Sequence, residues 1–122
     1  MSVTNALAGI AVNDLGSSIA WYAQLLGRQP DSRPMEEVAE WEFERGGWIQ
    51  VFEDKERAGC SSVTLVETDV ARRTGVLKKA AIRIVSEMKS EEAKLVIIHD
   101  HDGNRIVFAR GRGERHRAVA SA

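Results

Sequence analysis

Cysteine is almost missing from this 122-residue chain: Cys60 stands alone, so no internal disulfide can form and the core must hold by burial. The length allows that, because a single domain of this size buries enough surface to fold without staples. Only two prolines occur, Pro30 and Pro34, and they mark residues 28–36 as loop or poor edge strand. Histidine occurs three times and never before His99. Charge of one sign is lacking as well. With 17 basic and 18 acidic side chains the net charge is −1, which gives no general reason to expect nucleic acid or a membrane surface as partner. No apolar run approaches a bilayer span, and MSVTNALAGIAVND has no charged-then-apolar signal order. These features predict a cytoplasmic protein. Cys60 has no motif that favours a reactive thiol over a structural role. From Arg110 the chain reads RGRGERHRAVASA, without apolar periodicity, and residues 111–122 are expected to form a basic flexible tail behind one domain of residues 1–110.

Leu7 to Val12 reads as a strand, and Asn13-Asp14 offers a helix start. Ile19, Tyr22, Leu25 and Leu26 then fall on one helical face before Gly27 stops the run. VAEWEFERGGWIQVFED alternates with period two on both sides of Gly46-Gly47, a pair suited to a two-residue hairpin turn. That register pairs Arg45 with Trp48, Phe43 with Gln50 and Trp41 with Phe52, all on one face. Glu40, Glu42 and Glu44 fall on the other face with Ile49 and Val51. After Gly59 the pattern restarts: SSVTLVETD as strand, a helix opened by Asp69 through Val70, Val76, Leu77 and Ala80, then AIRIVS, KLVIIHD and NRIVFAR as strands. The order is β-α-β-β-β twice, and AGIAVNDL echoes in VTLVETDV.

The stretch IIHDHDGNRIVF places His99, Asp100, His101 and Asp102 just before Gly103-Asn104. Such a cluster suits either a metal or a hairpin tip, where Asp and Asn bond their own backbone and glycine takes a positive φ.

GIAVNDLGSSIAWYAQLLG resembles the opening of the vicinal oxygen chelate superfamily, which includes glyoxalase I, bleomycin-resistance proteins, fosfomycin-resistance enzymes and extradiol dioxygenases. Asp14-Leu15, Ser18, Trp21-Tyr22 and Leu26-Gly27 match in order and spacing. DHDGNRIVF is similar to the family's DPxGN turn, with His101 where proline is usual. The resemblance covers about residues 6–110 and makes the HDHD aspartates turn formers. It implies an α+β fold of two tandem βαβββ modules, about 5–55 and 60–110, forming a curved, cup-like mixed sheet with helices on the outer face.

In the metal-dependent members a divalent cation is held by a His on the first strand, an acid or amide on the fourth, a His or similar group on the fifth and a Glu on the eighth. The resemblance puts Leu7, Gln50, Ser62 and Val107 at those places. Leu and Val cannot ligate a cation, and a catalytic site takes about three protein ligands. No metal, other cofactor or catalytic residue is therefore expected. Strand parity lines the cup with Leu7, Gly9, Ala11, Trp41, Phe43, Trp48, Gln50, Phe52, Ser62, Thr64, Val66, Arg105, Val107 and Ala109. Trp41, Phe43, Trp48, Gln50, Phe52, Ser62, Thr64, Arg105 and Val107 are the expected ligand-binding residues, an aromatic and aliphatic surface with a few polar handles. The expected function is metal-free binding of an aromatic or otherwise apolar small organic molecule, and the resemblance implies a homodimer. The alternatives are a metal-dependent lyase, isomerase or dioxygenase using Gln50, Glu53 and a histidine of 99–101, or a structural partner with a vestigial cup. Arg83, in AIRIV, faces either an anion or solvent.

Overall fold

A computed structural model describes residues 2–90 and 94–110; the tail read at 111–122 lies outside the described residues. The elements run strand-helix-strand-strand-strand twice, so the protein is α+β with two tandem βαβββ modules. Contacts divide the chain into two compact units. Among the described residues, the first comprises residues 2–63 together with Asp100–Asn104, and the second comprises residues 64–90, 94–99 and Arg105–Arg110.

In the first unit β1 (Leu7–Val12), α1 (Leu15–Leu26), β2 (Ser32–Met35), β3 (Val38–Glu42) and β4 (Trp48–Glu53) build a sheet of order β1-β4-β3-β2. β1 runs parallel to β4, while β3 is antiparallel to both of its neighbours. Asp14 caps α1 by accepting the Ser17 backbone N–H at 2.9 Å. Gly27 ends the helix at φ 79°, donating its N–H to the Ala23 carbonyl. α1 packs on β3 and β4. Ile10, Val12, Ala39, Trp41, Ile49 and Val51 are buried on that side, with Leu15, Tyr22 and Leu25 from the helix. Each large aliphatic side chain so buried contributes roughly 1.5–3 kcal/mol.

The hairpin register differs from the one expected. Glu42 pairs with Trp48, Trp41 with Ile49 and Glu40 with Gln50. Phe43 donates to the Gly47 carbonyl, and Gly46 (φ 93°) donates to the Phe43 carbonyl. The loop is therefore Glu44-Arg45-Gly46, three residues with glycine in the left-handed place. Changing a two-residue loop to a three-residue loop changes the pairing parity, and every side chain of β3 turns over. Trp41 and the line of Phe43 leave the face they were assigned. Glu40 and Glu42 join it.

The second unit holds α2 (Val70–Lys79), β6 (Ser86–Lys89), β7 (Lys94–His99) and β8 (Arg105–Arg110), and β5 (Ser62–Val66) completes its sheet in the order β5-β8-β7-β6. Asp69 caps α2 through the Arg72 N–H, as Asp14 caps α1. Val70 and Leu77 are buried with Val96, Ile98, Ile106 and Phe108, which alternate along β7 and β8. The strand read in AIRIVS begins only at Ser86. Ile82 still donates to the Leu77 carbonyl and Ala81 takes φ 57°, so these residues wind the chain off the helix. Arg83 is exposed outside any strand.

Candidate functional site

Asp100–Asn104 form a structural turn inside the first unit, directly after His99 ends β7. Asp100 is 8% exposed, and four donors reach its carboxylate. Oδ1 accepts the backbone N–H groups of Asp102 (3.0 Å) and Asn104 (2.9 Å). Oδ2 accepts the Tyr22 hydroxyl (2.7 Å) and the Asn104 amide (2.8 Å). Asn104, buried, also donates to the Ala11 carbonyl and accepts from the Ser61 N–H. Asp102 accepts from Asn13. Gly103 adopts φ 97°, and a Cβ built on Gly59 would stand 2.3 Å from the Asp102 carbonyl oxygen. Buried polar groups that are fully bonded in this way specify a local structure. Burial first, and then the Asp100 charge, push the Tyr22 hydroxyl above its ordinary range and keep it protonated. The aspartates are turn formers.

The side of the first sheet turned away from α1 is where binding chemistry collects. Along β4, Trp48, Gln50 and Phe52 alternate onto this side, each half-buried. The parallel register brings Leu7, Gly9 and Ala11 beside them, as strand parity predicted. Gly9 is open for a reason: a Cβ there would sit 3.2 Å from Phe52 Cε1, so the Phe52 ring leans over the bare backbone. The turned-over β3 brings Val38, Glu40 and Glu42 from the other flank. Gln50 Nε2 donates to Glu40 Oε2 at 2.7 Å, and both groups are half-buried. A polar row Gly9–Gln50–Glu40–Ser32 thus crosses four strands between an apolar pair, Leu7–Trp48, and an apolar row, Phe52–Val38–Met35.

Trp48, Gln50 and Phe52 are brought together, whereas Trp41 and Phe43 are not with them. Trp41 is fully buried against Tyr22 (ring centroids 6.2 Å apart) with its indole N–H on the Arg28 carbonyl at 3.0 Å. Phe43 opens the hairpin loop, half-buried. In the second sheet Ser62 and Thr64 are exposed on β5. On β8 Arg105 is exposed, while Val107 on the same side is buried. Glu40 was missed, because EWEFE alternates acid and aromatic and only the loop length tells which set faces which way.

A glyoxalase/bleomycin resistance protein from Catenulispora acidiphila DSM 44928 superposes with a TM-score of 0.80 at 30% sequence identity, over 88% of this chain and 97% of that one. The chain belongs to the glyoxalase/bleomycin resistance family. Two further members of the same fold are an antibiotic binding protein from Streptomyces sp. CB03234 (TM-score 0.75, 15% identity, 88% and 96% of the two chains) and a bleomycin resistance determinant encoded on the transposon Tn5 (TM-score 0.74, 16% identity, 90% and 99%). No protein-family model matches the sequence, and no curated protein does.

For this member of the glyoxalase/bleomycin resistance family, the proposed ligand trio of Gln50, Glu53 and a histidine of 99–101 does not converge. Glu53 has the parity of Ile49 and Val51, and its Oε1 accepts the Leu15 N–H at the start of α1 (3.2 Å). Gln50 points the other way and is engaged by Glu40. Among the described residues no three His, Cys, Asp or Glu side chains are grouped to hold a metal ion, and no helix is long and apolar enough to cross a membrane.

Proposed function

We propose that the protein is a metal-free small-molecule-binding member of the glyoxalase/bleomycin resistance family. It holds an organic ligand with an aromatic or otherwise apolar body against the first sheet, on the side turned away from α1. One observation carries this reading: Trp48, Gln50 and Phe52 stand in line, half-buried, beside the open backbone of Gly9. Two aromatic side chains with one polar group between them suit a planar apolar ligand that needs orienting. The names of two structural relatives, an antibiotic binding protein and a bleomycin resistance determinant, run in the same direction. The absence of catalytic metal chemistry is supported by Leu7, Ser62 and Val107 at the expected ligand positions, and by Glu53 being spent on the α1 N-terminus. On the second sheet, taken by itself, Ser62, Thr64, Arg105 and Val107 are the proposed ligand-contacting positions. The same reading makes the molecule a cytoplasmic homodimer with one domain over 1–110.

Elemental analysis of tag-free protein, followed by thermal melts with divalent metals and with a panel of aromatic antibiotics, tests this. The expected result is a bound metal content below about a tenth of an equivalent, with stabilisation by at least one organic compound. A ligand at about 100 times its Kd adds about 2.7 kcal/mol, and Trp48→Ala should remove that gain. Stoichiometric metal with a matching rise in Tm would overturn the reading.

A further inference from the structure

We propose that the second unit carries a binding site of its own, on the α2 side of its sheet, for a carboxylate anion with an apolar body of about six carbons. The site shares no residue with the ligand positions proposed above, and it lies on the opposite side of the sheet from Arg105 and Val107.

α2 packs on β7 and β8, whereas β6, at the sheet edge, is exposed along its whole length. A cavity of about 170 Å³ opens between the helix and this edge. Val70, Ala71 and Thr74 of α2 and Val96 of β7 line it, together with Lys89 and Lys94. Thr74 Oγ1 donates to the Val70 carbonyl at 3.1 Å, so the one proton of that hydroxyl is used within the helix. The two ammonium groups are therefore the side-chain donors left to a ligand. An apolar cavity of about 150 Å³ takes a body the size of benzene, which sets the scale of the occupant.

The ladder sets its charge. Lys89 lies opposite Lys94, and Lys94 lies opposite Arg110, so three cations form one row across β6, β7 and β8. The next row on the same side is Glu87–Val96–Phe108. Arg73 of α2 stands over the Phe108 ring, 4.8 Å from its centroid, which identifies this side as the one that α2 covers. Like charges directly opposite each other destabilise a sheet, and an anion seated between them offsets that cost. Glu87 meets Lys89 at 3.3 Å, but the pair is exposed and such pairs are weak. Lys94 is half-buried and belongs to none of the ion pairs among the described residues. A neutral molecule would fill the cavity and leave the repulsion in place.

The probes are hexanoate, 1-hexanol as its uncharged analogue of equal length, and acetate as the head without the body. Each is titrated at pH 8 into full-length ¹⁵N-labelled protein, where amide shifts report affinity and place together. Hexanoate should bind at least about fivefold tighter than either control, with shifts gathered on Val70, Ala71, Thr74 and Val96. Lys94→Gln should bring hexanoate down to the level of 1-hexanol without lowering Tm, because it also removes a like-charge pair. Ala71→Leu fills the cavity from an exposed position with a good helix former and should abolish binding of both six-carbon probes. Trp48→Ala should change none of these results. Equal binding of hexanoate and 1-hexanol would overturn the anion assignment. No binding, or shifts that gather on β4 and vanish in Trp48→Ala, would overturn the site itself.

Discussion

Tyr22 is the only tyrosine in the chain, so tyrosinate absorbance in alkaline solution follows this one side chain. It is 1% exposed, and its hydroxyl donates to Asp100 Oδ2 at 2.7 Å. Burial, then the neighbouring Asp100 charge, raise the phenol above its ordinary value. In the unfolded chain the same group loses its proton near pH 10. A raised folded-state pKa means that the stabilisation is complete below about pH 10 and is lost as pH rises beyond it. Above that point the contribution of Tyr22 should fall by about 1.4 kcal/mol per pH unit. Lysines titrate in the same window, so the comparison is with Tyr22→Phe. Removing the hydroxyl takes one of two donors from Oδ2 of a buried carboxylate, at a cost of about 1.5–3 kcal/mol at pH 8. Urea denaturation of both proteins from pH 8 to 12 should show a constant difference up to about pH 10 that then closes within one to two pH units. Ionisation of the phenol near pH 10 while far-UV circular dichroism stays native would refute the argument, as would a difference that does not close.

The hairpin register is tested by two single substitutions. Trp41→Phe removes buried volume and the indole bond to Arg28, and should cost about 2–3 kcal/mol, whereas half-exposed Trp48→Phe should cost less than about 1; denaturant melts giving the opposite ranking would restore the two-residue loop. Asn104→Ala strips the side-chain bonds to Ala11, Ser61 and Asp100 from a buried position and should lower stability by about 2–4 kcal/mol, read by the same melts. A cost under about half a kcal/mol would show that the turn is held by its backbone alone.

Some elements were readable because one residue type decides them locally. Asp14 and Asp69 each place a carboxylate on backbone N–H groups that a helix start leaves free, and Gly27 takes the conformation that ends a helix. The DHDGN turn is similar in kind, with side chains bonding a backbone only two to four residues away. Its longer bonds to Ala11 and Tyr22 had no local signal. The hairpin failed as a reading because its register hangs on one residue of loop length, and ERGG accommodates either choice. That single residue exchanged Trp41 for Glu40 on the candidate site and so changed its charge. AIRIV misled for a related reason. Its apolar alternation suits a strand, but Ala81 at φ 57° and the bond from Ile82 back to Leu77 belong to the exit from α2.

Asp100–Asn104 complete the first unit although they lie 78 and 93 positions after Tyr22 and Ala11, the groups they bond. Such separation raises contact order, so closure must bring together distant segments before the buried bonds form. During synthesis the strands and helix of the N-terminal half can be fully extruded while their last hydrogen-bond partners have not yet been translated. The first unit therefore gains its full set of buried bonds only once residues late in the sequence have been made.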